Sequence, residues 1–460
     1  MLQTPPSRRH GLRLLLLALT WLGLSACAAP AHEAEPDFEP TALATFDQVW
    51  EQVRSNYYDF ERIAEDWNRA RDTLRPRAAA ARDDRELRRV LVELLDRIGA
   101  SHFAILPGDP AAAILAADPG SDHTPAPTTG PRGDTGLAVR LIGDALVFSE
   151  VPDPVPDGLM AGDRLLAIDE QSLDGRLAEL QTLESEASRE RAALLLEAEV
   201  NARIGFPALG EPLRLRVATG DREARVVEVV GRRSDGERVQ LGNFPPMFLR
   251  FQTRTLPQGE SCVGLLRFST WVPALMERFN EVRDELLACD GLIIDLRGNL
   301  GGVLTTMVPL ASHLSDEPML LGRLLRADGQ LQFRVFPRRV ADDGRRLQPY
   351  TGPIAILIDS LSASTSELFT AGMQAAGRAR VFGQRSPGMA LPAQMMELAN
   401  GDRLMYAFAD YLDGQDRRIE GVGVIPDQAI TLDRDALASG SDPVLEAALR
   451  WLADAAQPVH

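Results

Sequence analysis

Apolar residues recur at helical spacing in the first part of the chain. From Phe46 to Val53 they lie at i, i+3, i+4 and i+7, the spacing that puts side chains on one face of an α-helix. A second apolar stripe runs from Leu87 to Leu95. The pattern predicts a small N-terminal helical domain over residues 41–106. A linker rich in Pro, Gly, Ala and Asp follows over 107–133.

A different pattern, of short strands separated by turns, begins at residue 134. Residues 145–151 are strand-like, and 158–169 place a Gly-Asp turn before an apolar strand. A helical stretch over 179–204 precedes the closing strands, so we predict a β-rich domain over 134–234. The domain resembles a bacterial PDZ domain, and the resemblance implies that four residues receive a bound peptide: Gly136, Leu137, Gly158 and Leu159.

The remaining pattern alternates buried strands with helices. Apolar runs of strand length lie at 262–268, 291–296 and 353–358, and each is followed by a helical stretch. This alternation predicts a largely parallel sheet covered by helices on both faces. We assign the α/β core to residues 235–436 and a C-terminal helix and tail to 437–460. The chain as a whole is therefore predicted to be a multidomain α/β protein.

The N-terminus has the pattern of an export signal. Three arginines precede the short apolar run Leu14–Leu22, and small residues then lead to Cys27. The run is short for a membrane-spanning helix. Residues 24–27, Leu-Ser-Ala-Cys, resemble the bacterial lipobox, which implies lipidation of Cys27 and a protein anchored in the cell envelope, facing the periplasm. The resemblance also implies the outer membrane, because Ala28 follows the cysteine.

Removal of a lipoprotein signal peptide, residues 1–27, would leave residues 28–40 as a disordered tether. An ordinary signal cleaved near Ala29 is the alternative. Of the 3 cysteines, Cys262 and Cys289 would remain. They could pair in an oxidising compartment. Both lie in apolar stretches, however, which favours two buried free thiols.

Charge and composition limit the partners and cofactors. The formal net charge is −17, which argues against nucleic acid because phosphate binding needs clustered positive charge. No Cys/His group in the sequence has metal-ligand spacing, so neither a metal nor another cofactor is expected. All 49 basic residues are arginine, since the sequence contains no lysine. The chain therefore cannot use any mechanism that needs a lysine side chain.

One candidate for chemistry is a serine at the start of a helix. The stretch 354–367 runs from an apolar strand into Ser-Ala-Ser-Thr-Ser-Glu. Backbone N–H groups and the positive end of the helix dipole meet at such a position, where they can stabilise an oxyanion. The same residues also fit a helix capping box between Ser364 and Glu367, which is a purely structural role.

A glycine-rich turn is the second candidate. Residues 295–302, Asp-Leu-Arg-Gly-Asn-Leu-Gly-Gly, follow a buried strand and precede a helix. Glycines at such a turn let backbone amides approach a ligand closely. A phosphate-binding P-loop is excluded because it needs a lysine. Asp295 and Arg297 are expected to form a structural ion pair.

Together with a third segment, Ile419–Asp427, these stretches resemble the signature segments of the tail-specific, C-terminal-processing serine peptidases and of the tricorn core protease. Their order and approximate spacing match that family. The resemblance implies a crotonase-like α/β protease core, protein or peptide substrates, and an acyl-enzyme on Ser364. It also implies an oxyanion hole made by the backbone of Thr365 and of the glycine turn around Gly301 and Gly302.

Many members of this family activate the serine with a lysine, but Met389 stands at the corresponding position here. A serine without a base is a weak nucleophile. The segment around Ser101 and His102 resembles the Ser-His segment of the tricorn-like branch. That resemblance implies His102 as general base, with Ser101 and Glu420 completing a tetrad. An imidazole with an unperturbed pKa near 6.5 suits proton transfer at neutral pH. His313 is the rival base.

Three functions remain open on these patterns. The first is an active serine endopeptidase whose PDZ-like domain captures unfolded chains or free C-termini. The second is a catalytically inactive PDZ-containing scaffold that binds protein C-termini. The third is a crotonase-like enzyme, which is disfavoured because no coenzyme A site is recognisable. The joint presence of Ser101, His102, Ser364 and Glu420 favours the peptidase.

Overall fold

The computed structural model describes most of the chain after the first 37 residues. The described ranges are 38–108, 132–154, 158–183, 185–220, 222–234, 236–239, 247–259 and 261–455. The expected signal peptide and Cys27 lie outside the described residues, as does most of the expected linker. Within these ranges no helix is long and apolar enough to cross a membrane.

The N-terminal domain is a small helical unit. Its helices α1 (Phe38–Asn56), α2 (Phe60–Ala79) and α3 (Asp84–Asp96) pack their apolar faces into one core around the fully buried Trp67. Helix α1 begins inside the range expected to be tether, because Phe38 already packs against this core. A short strand, β1 (Ala104–Leu106), follows the domain.

The next unit is a β-rich domain with an antiparallel sheet. The helical stretch expected over 179–204 is two helices, α4 (Asp174–Thr182) and α5 (Glu186–Gly205), and α5 packs against the sheet. The sheet order is β2-β3-β4-β6-β7, with β5 beside β4. The strands are β2 (Ala138–Ile142), β3 (Ala145–Glu150), β4 (Arg164–Ile168), β5 (Gln171–Ser172), β6 (Pro212–Ala218) and β7 (Arg225–Val230).

The core contains a six-stranded sheet that is parallel except at one edge. Its order is β10-β11-β12-β15-β16-β20, and only β10 runs antiparallel to its neighbour. The largely parallel sheet predicted from the alternating pattern is thereby confirmed. Its strands are β10 (Phe251–Gln258), β11 (Ser261–Phe268), β12 (Gly291–Asp295), β15 (Ile354–Ile358), β16 (Arg380–Gly383) and β20 (Gln428–Ala429).

Helices cover both faces of this sheet. One face packs against α6 (Ala274–Leu286), α7 (Met307–His313) and α8 (Thr365–Ala375). The other packs against α10 (Pro443–Ala455), which follows the short α9 (Arg434–Ala438). The helix expected in the C-terminal tail is therefore part of the core, because its apolar side covers the sheet.

Smaller sheets complete the core. A three-stranded sheet of order β1-β18-β17 joins the helical domain to the core through antiparallel pairing of β1 and β18. Another has the order β14-β13-β19, and β8 pairs with β9. These strands are β8 (Glu237–Val239), β9 (Met247–Leu249), β13 (Met319–Arg326), β14 (Gly329–Val335), β17 (Ala393–Glu397), β18 (Arg403–Ala407) and β19 (Asp410–Asp413).

Cys262 and Cys289 form a disulfide with a Cα–Cα distance of 4.9 Å, so the expectation of two free thiols is wrong. Cys262 lies near the start of β11, and Cys289 lies two residues before β12. Because β11 and β12 pair in parallel, their starting ends are adjacent. The pairing of the strands brings together two cysteines that are 27 residues apart in sequence.

Candidate active site

Ser364 is held in an unusual backbone conformation at the start of α8. Its φ of 55° lies in the left-handed region, which costs a residue with a side chain about 1–3 kcal/mol. The Ser364 N–H donates to the carbonyl of Met389 at 2.9 Å and to the Glu367 carboxylate at 3.1 Å. These two acceptors hold the strained turn in place and leave the hydroxyl of Ser364 for another partner.

That partner is His102, which follows α3 in the helical domain and also has a positive φ, 61°. Its Nε2 lies 3.2 Å from the Oγ of Ser364. Its Nδ1 lies 2.8 Å from the Oγ of Ser101. The structure therefore brings an imidazole from the helical domain to a serine hydroxyl of the α/β core.

Glu420 completes the chain of hydrogen bonds. Its carboxylate accepts from the N–H of Ser101, from the Oγ of Ser101 and from the N–H of Ala390, each at 2.8 Å. All four residues implied by the tricorn-like resemblance therefore lie in one connected group. Its order is Ser364, His102, Ser101, Glu420.

The connectivity assigns the protons in this group. Because a carboxylate only accepts, the hydroxyl of Ser101 donates to Glu420. The Oγ of Ser101 then accepts from Nδ1–H of His102, which leaves Nε2 free to accept from the hydroxyl of Ser364. This neutral tautomer is the one that a general base needs.

Loss of contact with water changes the pKa of His102. Desolvation lowers the pKa of His102 to about 4, because a charged imidazolium is disfavoured away from water. The imidazole is therefore neutral at pH 7. This pKa is lower than the value near 6.5 that the residue type alone suggests.

His313, the rival base, lies elsewhere. It ends α7 and is buried against the ring of Phe279, with the ring centroids 5.3 Å apart. Burial also lowers its pKa to about 4. Its Nε2 has no hydrogen-bond partner among the described residues. The structure thus brings His102, and not His313, to Ser364.

The glycine turn packs directly against Ser364. A Cβ on Gly301 would lie 2.7 Å from the Cβ of Ser364, so only glycine fits there. The N–H of Gly301, however, donates to the side chain of Asn299 at 3.0 Å. Gly301 is therefore already engaged, contrary to its expected place as an oxyanion donor. The carbonyl of Gly302 accepts from the Oγ1 of Thr365 at 2.9 Å.

Glu367 organises the backbone behind Ser364. Its carboxylate is 1% exposed and accepts from the Oγ of Ser386 at 2.6 Å and from the N–H of Gly388 at 2.7 Å, as well as from Ser364. Burial raises the pKa of Glu367 to about 7, against these hydrogen bonds, which lower it. Sequence reasoning gave this residue only a capping role. The structure shows that it also fixes the segment 386–388, which directly precedes Met389.

A buried ionic network lies beneath both turns. Arg140 of β2 is 4% exposed, and its Nε lies 2.7 Å from the carboxylate of Asp359, which directly follows β15. Asp359 in turn accepts from the N–H of Gly298 at 2.9 Å. Sequence reasoning missed both charged residues. The position of Asp359 between a buried strand and the serine motif was a usable signal, whereas nothing local marked Arg140.

The ion pair expected between Asp295 and Arg297 is confirmed, with a distance of 2.7 Å. Arg297 also pairs with Asp442 at 2.8 Å. Attraction to Arg297 and Arg267 outweighs burial and lowers the pKa of Asp295 to about 2. The pair is structural, because it links the glycine turn to the segment that precedes α10.

The four residues expected to bind a peptide lie in the β-rich domain. Leu137 and Leu159 are 3% and 0% exposed and belong to its hydrophobic core. Gly136 and Gly158 have positive φ in turns. None of the four takes part in the hydrogen-bonded group that contains Ser364.

Comparison with known proteins relates this geometry to a family. Residues 262–430 match the model of peptidase family S41, and residues 41–96 match that of the tricorn protease C1 domain. The carboxyl-terminal-processing protease of Synechocystis sp. is 26% identical over 174 residues, which is 37% of this chain and 39% of that protein. The alignment therefore spans well under half of the length of this curated relative.

Two solved structures show the same fold. The photosystem II D1 C-terminal processing protease is 19% identical with a TM-score of 0.53, covering 90% of this chain and 98% of that one. Mature CPAF is 14% identical with a TM-score of 0.58, covering 90% and 96%. These similarities confirm the multidomain α/β fold class. Over residues 262–430 this chain is accordingly similar to peptidase family S41, a family of serine peptidases, and it has the fold of the C-terminal processing proteases.

Proposed function

We propose that this protein is a serine endopeptidase in which Ser364 is the nucleophile and His102 is the general base. One observation carries the proposal: the unbroken hydrogen-bonded order Ser364, His102, Ser101, Glu420. A scaffold that binds chain ends has no need of this order. A peptidase needs every link of it, because serine is a weak nucleophile without a base and the base needs an orienting partner.

In the first half of the reaction, Nε2 of His102 takes the proton of the Ser364 hydroxyl as Oγ attacks the peptide carbonyl carbon. The imidazolium that forms donates through Nδ1 to Ser101, which donates to Glu420. The tetrahedral intermediate collapses as His102 returns its proton to the leaving amine nitrogen, and an acyl-enzyme remains on Ser364. In the second half, His102 takes a proton from water as the water oxygen attacks the ester carbonyl carbon. The second tetrahedral intermediate breaks its bond to Oγ and releases the product carboxylic acid, and the His102 imidazolium returns a proton to Ser364.

The oxyanion needs backbone donors at the start of α8. Thr365 supplies one as the residue after the nucleophile. We assign the second to Gly302 rather than Gly301, because the N–H of Gly301 is held by Asn299. Gly302 lies opposite Trp271 in an isolated parallel bridge, in which the N–H of Trp271 donates to the carbonyl of Gly301 and the N–H of Val303 donates to the carbonyl of Trp271. Its own carbonyl accepts from the Oγ1 of Thr365.

We further propose that the enzyme acts on polypeptides in the bacterial cell envelope. Two observations support this location. The sequence pattern that ends at Cys27 is typical of an exported lipoprotein. The disulfide between Cys262 and Cys289 is typical of proteins in an oxidising compartment such as the periplasm. The names of the relatives support polypeptide substrates.

A fluorophosphonate probe and an unfolded fluorescent casein test the proposal. We expect the wild-type chain to be labelled on Ser364 and to cleave casein, and Ser364→Ala to lose both properties. Ser439→Ala, at an exposed serine after α9, is the matched control and should retain both. If the wild-type chain showed neither labelling nor cleavage across a broad panel of unfolded proteins, the scaffold hypothesis would replace the peptidase.

A further inference from the structure

Strand β2 forms one edge of the sheet in the β-rich domain. Peptides that bind a sheet edge add as an extra strand, using the outward backbone N–H and C=O groups of alternate residues. On β2 those residues are Val139 and Leu141. Val139 lies opposite Phe148, whose N–H bonds in the other direction, to Asp163 near β4. The polar groups of Val139 therefore face away from the sheet, towards α5.

Val139 has no backbone group left for a peptide. Its N–H donates to Oδ1 of Asn201 at 2.8 Å. Its carbonyl accepts from Nδ2 of Asn201 at 2.9 Å and from Nη1 of Arg140 at 2.8 Å. Two donors fill the two lone pairs of a carbonyl oxygen. The side chain of Asn201 thus makes the pair of bonds that an added strand would make.

Leu141, the next outward residue, faces Glu197, and attraction of its N–H to that carboxylate opposes the rise that burial causes in the pKa of Glu197. Glu197 and Asn201 are four residues apart on α5, so they lie on one face of the helix. Glu197 is 2% exposed and lies 3.4 Å from the guanidinium of Arg140, which anchors the domain to Asp359. Opening this edge would therefore disturb a buried ionic network.

The turn before β2 is closed as well. The N–H of Gly136 donates to the carboxylate of Asp134 at 2.9 Å, and the N–H of Leu137 donates to the Oγ1 of Thr135 at 3.2 Å. Backbone amides at such a turn could bind a terminal carboxylate if they were free. Here they already have acceptors, and one acceptor is itself a carboxylate, which repels another negative group.

We infer that Asn201 and Glu197 seal the edge of β2, so that this chain does not recognise the free C-terminus of its substrate at the β-rich domain. The substrates are then unfolded polypeptides bound through internal residues, whether or not their terminal carboxylate is free. The substrate class rests on the proposed peptidase function, whereas the sealed edge does not.

Binding to the catalytically silent full-length Ser364→Ala chain tests the seal without cleavage. The probes are two fluorescent peptides of one casein-derived sequence, ending in a free carboxylate or in an amide, and the readout is fluorescence anisotropy. We expect dissociation constants that agree within about twofold, because no free backbone group of the β-rich domain binds the terminal carboxylate of the peptide. Binding of the free acid about tenfold or more tighter than the amide would overturn the inference.

Adding Asn201→Ala to this chain frees the N–H of Val139 and one lone pair of its carbonyl. We expect a preference of about fivefold or more for the free acid to appear. Asn201→Ser is the second variant if the first unfolds, as judged by circular dichroism. Asn280→Ala, at an exposed asparagine of α6, is the control and should show no preference. No preference in a folded Asn201 variant would refute Asn201 as the seal.

A cleavage assay with Ser364 intact separates this inference from the proposed function. We expect equal kcat/KM for the two peptides within about twofold. Absence of cleavage of both peptides would refute the peptidase, while the binding comparison would still judge the seal. Cleavage restricted to the free acid would refute the inference and leave the peptidase standing.

Discussion

The Nε2 of His102 lies 3.2 Å from the Oγ of Ser364, although 262 positions separate the two residues in sequence. His102 belongs to the helical domain and Ser364 to the α/β core, so the candidate site is complete only when the two domains are docked. The pairing of β1 with β18 begins two residues after His102 and fixes the docking. The geometry of the candidate site therefore depends on how the helical domain is docked on the α/β core.

We expect His102→Ala to lower kcat/KM about as much as Ser364→Ala, by a factor of about 10⁴ or more, because members of one catalytic unit act together. The double variant should be no worse than either single variant. Casein cleavage and fluorophosphonate labelling provide the measurements. His313→Ala is the control, and its folded fraction should retain wild-type activity. Full activity in His102→Ala would show that the base is another residue.

The lowered pKa of His102 predicts a wide range of pH in which the enzyme is active. The base is the neutral imidazole, which is protonated only as the pH falls through about 4. We therefore expect kcat/KM to stay level from neutral pH to about 5 and to fall about tenfold per pH unit below 4. Peptide cleavage should be measured from about pH 3 to 8, with circular dichroism at each pH to show that the chain remains folded.

Glu367→Gln is the control for this profile, since the pKa of the buried Glu367 is raised to about 7 and its carboxylate bonds the backbone of Ser364. The pH at which kcat/KM begins to fall should be the same in this variant as in the wild-type enzyme. A fall in kcat/KM between pH 6 and 7 in the wild-type enzyme would contradict the lowered pKa of His102. A shift of that fall in Glu367→Gln would assign it to the carboxylate instead.

Glu420→Gln should lower kcat about 10- to 100-fold and leave KM nearly unchanged, because Glu420 orients the base and does not touch the substrate. Its two oxygens face donors from Ser101 and Ala390, so either orientation of the glutamine amide turns an NH2 group towards a donor. Steady-state kinetics with one peptide measure kcat and KM separately. Glu446→Gln, at an exposed carboxylate of α10, is the control. An unchanged kcat would contradict the role of Glu420.

Arg88→Ala should lower both stability and kcat, because Arg88 holds the helical domain to the core. Its Nε and Nη2 each lie 2.8 Å from the carboxylate of Asp402, which is 1% exposed. Loss of one partner leaves a buried charge and costs about 3–5 kcal/mol. Unfolding in urea and kcat at saturating peptide are the measurements.

Arg77→Ala is the matched control for Arg88→Ala, because it breaks a pair of similar length, with Glu93 at 2.8 Å, on the exposed surface of the same domain. Exposed pairs contribute about 0–1 kcal/mol, so stability and kcat should barely change. Equal effects of the two substitutions would show that the buried pair does not hold the domains together.

Cys27 should carry lipid in the cell. We expect radiolabelled palmitate to be incorporated into the wild-type protein and not into Cys27→Ser, and the wild-type protein to fractionate with membranes. Globomycin should cause unprocessed precursor to accumulate. Normal processing of Cys27→Ser to a soluble periplasmic form would show that the signal is an ordinary cleaved one.

Much of the fold followed from local pattern. Helices α1 and α3 were predicted because apolar residues recur at helical spacing within each, and strands β12 and β15 because each is a short continuous apolar run that is buried along its whole length. The candidate site also came from the sequence, but only because short motifs around Ser364 and Glu420 matched a family in order and spacing. The Ser101-His102 motif and the absence of lysine pointed to His102 as the base, whereas the distance between its Nε2 and Ser364 is a property of the folded chain.

The tertiary structure decided what depends on contacts between distant segments. Parallel pairing of β11 and β12 joined Cys262 to Cys289, which apolar surroundings alone did not predict. Folding engaged the N–H of Gly301 with Asn299, and the N–H groups of Gly136 and Leu137 with the side chains of Asp134 and Thr135. Groups that were expected to bind a ligand therefore bind the protein itself. Hydrogen-bond partners and desolvation are properties of the packed chain, and the sequence by itself therefore determined which groups are present but not which of them remain available.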